Sequence, residues 1–303
     1  MTGSKNGPDA MVWVKLGLAV ILVVAASLAV LVSCSSTFNA RAYSALQGDN
    51  KPYSPFEIAD GLYYVGANGV SSYALETDIG LILIDGGYAE TAPIILSNLA
   101  ELGFAPTDVT LLLNSHGHMD HAAGLAPLKE ATGASLAATP ESAAELARGG
   151  RDDFYLGDYM AFASVTADIL LSDRDALDWG GRAITPISTP GHTRGCTSWA
   201  FEVSVQGETR SALLICSLSI LQYPLVDNKK WPGIAGAFQK TFDTLERQPC
   251  EVFLTVHGRL MDLDGKKSRI GGDPSAFIDP EGCRSYIAYA RDRFEDRLAS
   301  QME

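Results

Sequence analysis

The sequence predicts an α/β sandwich in which two β-sheets pack face to face with helices on the outside. Three observations predict it. Short β-rich runs broken by Gly, Asn and Asp turns give way to stretches of helical spacing, and this β-then-α sense occurs twice along the chain. The run 109–113 (Val-Thr-Leu-Leu-Leu) reads as a buried strand. The composition, 303 residues with 47% hydrophobic and 19% charged, is that of a globular protein.

The elements follow in order. Lys5 and Lys15 precede an uncharged run, 16–32, that ends in Leu31-Val32-Ser33-Cys34. A basic start, an apolar stretch and small residues before a break read as a secretory signal over residues 1–34. The last four of these residues resemble a bacterial lipobox, which would lipidate Cys34 and make it the mature N-terminus. The apolar run is also long enough for an uncleaved membrane anchor. Lipoprotein, anchor and ordinary cleaved signal all export the domain, to the periplasm or to a lipid anchor on the bacterial membrane. Contact with the membrane is expected only through this segment. Residues 35–55, with Ser, Asn, Gly and Pro and little periodicity, read as a tether, and 56–303 as the folded domain.

Within the domain, 62–65, 72–76 and 81–84 read as antiparallel strands, broken by Gly66, Asn68-Gly69 and Asp78. Ile95, Leu99 and Leu102 share one face of a helix over 92–102. After the strand 109–113 the chain resumes helical character over 121–131, then forms a strand at 134–138 and a helix at 141–147. Residues 148–157 join the two halves. The second half reads as strands at 184–187, 198–203 and 212–215, a helix at 234–245, a strand at 252–255 and a closing helix at 285–298. The formal charge of −13, from 36 acidic and 23 basic residues, comes with no basic stripe, which excludes nucleic acid as an expected partner. With Cys34 assigned to the leader, Cys196, Cys216, Cys250 and Cys283 remain, an even number that permits three pairings in an oxidising compartment.

The chemistry is concentrated in Asn114-Ser115-His116-Gly117-His118-Met119-Asp120-His121, between the strand 109–113 and the next helix. Extended backbone sends alternate side chains the same way, so His116 and His118 can grip one ion together. Asp120 and His121, where the chain turns into the helix, suit a second. The chain has five histidines, and three fall within this run beside an aspartate. The other two, His192 and His257, follow strands, where ligands from distant sequence converge. Imidazole and carboxylate ligands at this density favour zinc.

This His-x-His-x-Asp-His run with two later histidines resembles the metallo-β-lactamase superfamily, whose αββα sandwich matches the predicted layers. The resemblance implies that His116, His118 and His192 hold one zinc and that Asp120, His121 and His257 hold the other. Three further stretches are similar to class B, subclass 3 β-lactamases. They are Gly191-His192-Thr193-Arg194-Gly195-Cys196, then Ile215-Cys216-Ser217-Leu218-Ser219 with Tyr223, Leu225, Asn228 and Pro232 beyond it, and the two segments around Cys250 and Cys283. By this resemblance Cys250 pairs with Cys283. A hairpin of 198–203 and 212–215 turning near Gln206-Gly207 would bring Cys196 and Cys216 to the same end. The resemblance supports that second bridge only in part, and Cys216 as a zinc ligand is the competing reading. Lactonases, glyoxalase II and the nucleases of the superfamily place a bridging aspartate after the third histidine, where 213–217 offers no carboxylate. Ile220-Leu221-Gln222 and Gly258-Arg259 depart from the subclass pattern.

The resemblance implies a di-zinc β-lactamase, a monomer acting on a small β-lactam by attack of a zinc-bound hydroxide on the amide carbonyl. Asp120 would bind metal and orient the nucleophile. Ser217 would act through a zinc-bound water, and Ser219 would receive the substrate carboxylate. Tyr155 and Leu156, on the linking loop, would either cover the substrate or pack in the core. The alternatives are another hydrolase of the fold, a lactonase or thioesterase, and a non-catalytic zinc-stabilised surface protein.

Overall fold

The computed structural model describes residues 47–303, so the expected leader 1–34 and the first part of the tether lie outside the described residues. Among the described residues no helix is long and apolar enough to cross a membrane. Asp49–Glu303 form one unit.

The first sheet runs, in spatial order, β1 (Phe56–Ala59), β2 (Leu62–Tyr64), β3 (Tyr73–Thr77), β4 (Gly80–Ile84), β5 (Val109–Leu113), β6 (Ser135–Ala138) and β7 (Ile169–Leu170). Its strands are antiparallel as far as β4, with two-residue turns between β1 and β2 and between β3 and β4, and parallel from β4 onwards. Parallel neighbours need a crossover. Helix α1 (Ala92–Glu101) supplies it between β4 and β5, and α2 (Met119–Ala122) with α3 (Leu125–Thr132) supplies it between β5 and β6. Helix α4 (Pro140–Ala147) follows β6. The second sheet comprises β8 (Leu177–Trp179), β9 (Arg182–Ser188), β10 (Thr197–Val205), β11 (Glu208–Ile215) and β12 (Val252–Thr255), in the order β12-β11-β10-β9-β8. Only β11 and β12 are parallel, and α5 (Ile234–Leu245) links them. Helices α6 (Leu263–Ile270) and α7 (Pro280–Met302) close the chain.

The pleat sorts the core into two layers. In β4, Ile82 and Ile84 pack with Trp199, Phe201 and Leu213 of the second sheet, while Leu81 and Leu83 face Ile95, Leu99, Leu125 and Leu128 of the first-half helices. The second sheet is covered on its other side by Phe238 and Phe242 of α5 and Phe294 of α7. These are the four αββα layers. The hairpin β10–β11 turns at Gln206 and Gly207, both at positive φ (54° and 79°), the backbone of a tight primed turn.

The structure departs from the sequence expectation in places. The helix expected over 121–131 is two helices, because Gly124 lies against the backbone of Gly86. A Cβ at Gly124 would come within 2.0 Å of the Gly86 carbonyl oxygen. Strands β1, β7 and β8 and helix α6 are additional. The last residues of the expected tether are bound to the domain: Asn68 donates to Lys51, Gly69 to Asp49, and Asn98 Nδ2 to the Tyr53 carbonyl.

Candidate metal centre

The six side chains expected to bind metal sit where strands of both sheets end. His116, His118, Asp120 and His121 follow β5, His192 follows β9 and His257 follows β12. Hydrogen bonds to backbone carbonyls tie these ends together across the sheets. Thr197 N–H donates to the Ser115 carbonyl (2.8 Å), Trp199 Nε1 to Asn114 (3.3 Å) and Ser71 N–H to Val256 (2.9 Å). The alternation expected for His116 and His118 is not that of a strand, since β5 ends at Leu113. His118 is an extended residue at the N-terminus of α2 (φ −89°, ψ 152°).

All five histidines and Asp120 lie together. The ring centres of His116, His118 and His192 are 4.6–5.0 Å apart, and His118 Nδ1 lies 3.0 Å from His192 Nε2. One ligand atom from each of these three lies within 4.8 Å of the others. Asp120 Oδ2 lies 3.1 Å from His121 Nε2 and 3.6 Å from His257 Nε2. His116 is the neighbour common to both groups, its ring centre 4.4 Å from that of His121.

The outer ring nitrogens show why the inner ones converge. His192 Nδ1 donates to the Ser219 carbonyl (2.6 Å) and His257 Nδ1 to the Gly69 carbonyl (3.2 Å), which leaves each Nε2 as a bare lone pair facing inward. The Ser115 hydroxyl donates to Asp85 Oδ2 (2.7 Å), so it accepts from His116 Nδ1 (3.0 Å) and frees His116 Nε2. His118 is turned the other way, with Nδ1 inward. Its Nε2, and both nitrogens of His121, are buried without a hydrogen-bond partner.

The charge balance points to a cation. Burial, with the neighbouring imidazoles, holds His116 well below its ordinary value, His192 down to about 3 and His257 down to about 4. Burial pushes the Asp120 carboxyl up, but His121 and His257 outweigh it and hold it well below the carboxylate range. Burial likewise opposes the charged form of His121, yet the Asp120 and Asp85 carboxylates raise it to about 10. A divalent cation would take over the role of that proton, so loading the site releases it. Neutral imidazoles with lone pairs turned inward, beside an ionised carboxylate, fit a divalent metal of the zinc type.

Ser217 is buried, and its Oγ accepts from the Ser219 N–H (3.3 Å). Ser219 is exposed, and its carbonyl, not its hydroxyl, touches the cluster through His192. Tyr155 is exposed on the linking loop and packs edge-on against buried Tyr223, whose hydroxyl donates to the His192 carbonyl. Cys196 and Cys216 are bridged (Cα–Cα 6.0 Å), as are Cys250 and Cys283 (6.5 Å). The bridge removes Cys216 from the ligand set.

Three acidic residues belong to the site that sequence reasoning did not single out. Asp85, at positive φ (65°), accepts from Asn114 Nδ2, Ser115 N and Ser115 Oγ and faces His121 Nδ1 at 3.6 Å. Glu145 accepts from Thr193 Oγ1 and Gly195 N (both 3.0 Å) and holds the His192 turn against Gly117. Its carboxyl is pushed up by burial. Asp153 faces His118. The available signal was a carboxylate directly after an apolar strand, as in Ile84-Asp85-Gly86.

A family model for the metallo-β-lactamase superfamily matches residues 65–203. Among solved structures, the chain is similar to a metallo-β-lactamase with a HARLDQ motif from Cronobacter sakazakii. The two are 39% identical over 85% of this chain and 99% of that one, with a TM-score of 0.81. It is similar also to the FEZ-1 metallo-β-lactamase from Legionella gormanii (35% identical, 84% and 98% covered, TM-score 0.81). A third is BJP-1, a subclass B3 metallo-β-lactamase of Bradyrhizobium japonicum (32% identical, 85% and 98% covered, TM-score 0.80). Among curated proteins, metallo-β-lactamase domain-containing protein 1 of Mus musculus is 44% identical over 66 residues, 22% of this chain and 25% of that protein. The chain thus matches about a quarter of the length of that relative. The HARLDQ motif has one histidine whereas His116–His121 has three, so likeness to the Cronobacter protein establishes the fold and not the metal set.

Proposed function

Since this chain belongs to the metallo-β-lactamase superfamily and is a hydrolase of that fold, we propose that it is a di-zinc β-lactamase of the subclass 3 type. The observation that carries the reading is the pair of converging donor sets, His116–His118–His192 and Asp120–His121–His257, with the outer nitrogens of His116, His192 and His257 fixed by hydrogen bonds. Three protein ligands to each ion leave positions for water and substrate, whereas a structural zinc is closed by four.

Zinc bound there supplies Lewis acidity towards the substrate carbonyl and towards water at neutral pH. The protein's own contribution is orientation and charge. Asp120 stays ionised and is the hydrogen-bond acceptor that can orient an attacking water. The buried Ser217 hydroxyl would act through a metal-bound water, and the exposed Ser219, whose carbonyl holds His192, would receive a substrate carboxylate. The linking loop, with Tyr155 packed on Tyr223, would shield one side of a bound substrate from solvent. Two disulfides fit folding in an oxidising compartment, consistent with export to the periplasm or its membrane face.

The test is hydrolysis of a β-lactam panel beside an acyl homoserine lactone and a thioester, with and without chelator. β-Lactam turnover that chelator abolishes and zinc restores is the expected result. Lactone or thioester turnover without β-lactam turnover would move the protein to another branch of the fold. Full activity in a metal-free preparation would remove zinc from the reading.

A further inference from the structure

Of the five clustered histidines, His116, His192 and His257 each have an outer ring nitrogen in a hydrogen bond to neutral oxygen, and His121 faces the Asp85 carboxylate. His118 stands apart. Its Nδ1 faces His192 inside the cluster, so Nε2 is its outer nitrogen, and this atom is buried with no hydrogen-bond partner. A carboxylate oxygen, Asp153 Oδ2, faces it at 3.7 Å, and the Asp153 side chain is 12% exposed. That distance is an ion-pair contact and longer than a hydrogen bond.

Asp153 does not come from the strand ends that carry the ligands. It comes from the loop joining the two halves, and its other oxygen is committed to that loop. Oδ1 accepts the N–H groups of Tyr155 (2.8 Å) and Leu156 (2.6 Å). The Asp153 backbone exchanges two 3.1 Å hydrogen bonds with Gly157. Phe154 packs edge-on against Tyr223 (4.8 Å) and Trp231 (5.0 Å), and Tyr223 holds the His192 carbonyl. The loop therefore reaches two of the three histidines of one metal set, His118 through a carboxylate and His192 through Tyr223.

We infer that Asp153 is the positioning residue for His118, fixing the ring with Nε2–H outward and Nδ1 inward, and that it couples the linking loop to the metal held by His116, His118 and His192. The inference rests on the metal sets named under the proposed function. A carboxylate behind a metal-bound imidazole fixes its tautomer and raises its basicity. Because the same carboxylate caps the loop, an ion at this site favours the closed loop, and the closed loop favours the ion by the same factor. The loop that would shield the substrate is thereby ordered by the metal.

Two variants of the full chain separate this role from a merely structural one. Asp153→Asn keeps an oxygen for the Tyr155 and Leu156 N–H groups but presents no charge to His118, whereas Asp153→Ala removes both. Zinc affinity is read by competition with a chromogenic chelator, and loop order by the rate of Arg-specific proteolysis at Arg148 and Arg151. Both variants should lose about 10–100-fold in affinity for one of two zinc ions, with the other unchanged. Zinc should slow loop cleavage in the wild type, and much less in Asp153→Ala. Wild-type zinc affinity in both variants overturns the inference. Weakened binding in Asp153→Ala alone also overturns it, because the residue then only shapes the loop. A wild-type chain that binds no zinc overturns the metal reading itself.

Discussion

At the scale of single residues, the proposed di-zinc site separates side chains that would touch the ions from those that would act through another group. Asp120 Oδ2 stands between His121 Nε2 and His257 Nε2, so Asp120→Ala removes a donor atom and one of the two carboxylates that face His121. Turnover should fall by more than about 100-fold, beyond the loss typical of an outer-sphere partner, with one zinc lost per chain. Ser217 presents a hydroxyl that already accepts from the Ser219 N–H. Ser217→Ala should keep both zinc ions and lower turnover only several-fold. Zinc content and β-lactam turnover of the two variants check this, and a one-zinc Ser217→Ala protein would make Ser217 a ligand. The residues expected to bind metal were legible because histidine is rare here and each one follows a strand or turn. Asp85, Glu145 and Asp153 were not. They are three among 36 acidic residues, and what selects them is proximity across the fold.

At the scale of elements, local pattern and turn chemistry carried most of the fold. The hairpin at Gln206-Gly207 and the helix 234–245 follow directly from period and turn residues. What pattern missed was set by distant contacts. Helix 121–131 is broken by the approach of Gly86 to Gly124. Helix α6 was hidden by its polar sequence, Leu-Asp-Gly-Lys-Lys-Ser-Arg-Ile. Its buried residues include Lys266, which reaches Asp279 at 2.8 Å. The Cys250–Cys283 bridge fastens the residues before β12 to the first turn of α7, away from the histidine cluster. Replacing both cysteines with alanine should therefore cost about 2–5 kcal/mol of stability and leave zinc content unchanged. Denaturant titration and metal analysis of the double variant read both quantities, and loss of zinc would mean that this bridge shapes the site.

At the scale of the whole molecule, the cluster makes the metal-free protein sensitive to pH in both directions. His192 and His257 stay neutral when folded, down to about 3 and about 4, but take protons near 6.5 when unfolded. Between those values the unfolded chain binds more protons, so stability falls as pH drops below 6.5, by up to ~1.4 kcal/mol per pH unit for each histidine. His121, raised to about 10, works in the opposite sense: its contribution is complete below 6.5 and is lost as pH rises towards 10. Urea midpoints of chelator-treated protein should thus peak near pH 6.5–7 and decline on either side, and a flat profile would contradict this charge assignment. The hairpin β10–β11 also gives the molecule two unlike ends. Its disulfide-bridged open end lies beside the cluster, and nine residues of β10, about 30 Å of strand, separate that end from the exposed turn at Gln206-Gly207. A Cβ at Gly207 would meet no atom within 4 Å. A fluorophore, an affinity handle or a second protein grafted onto that turn can immobilise the molecule while its reacting end stays open to the medium.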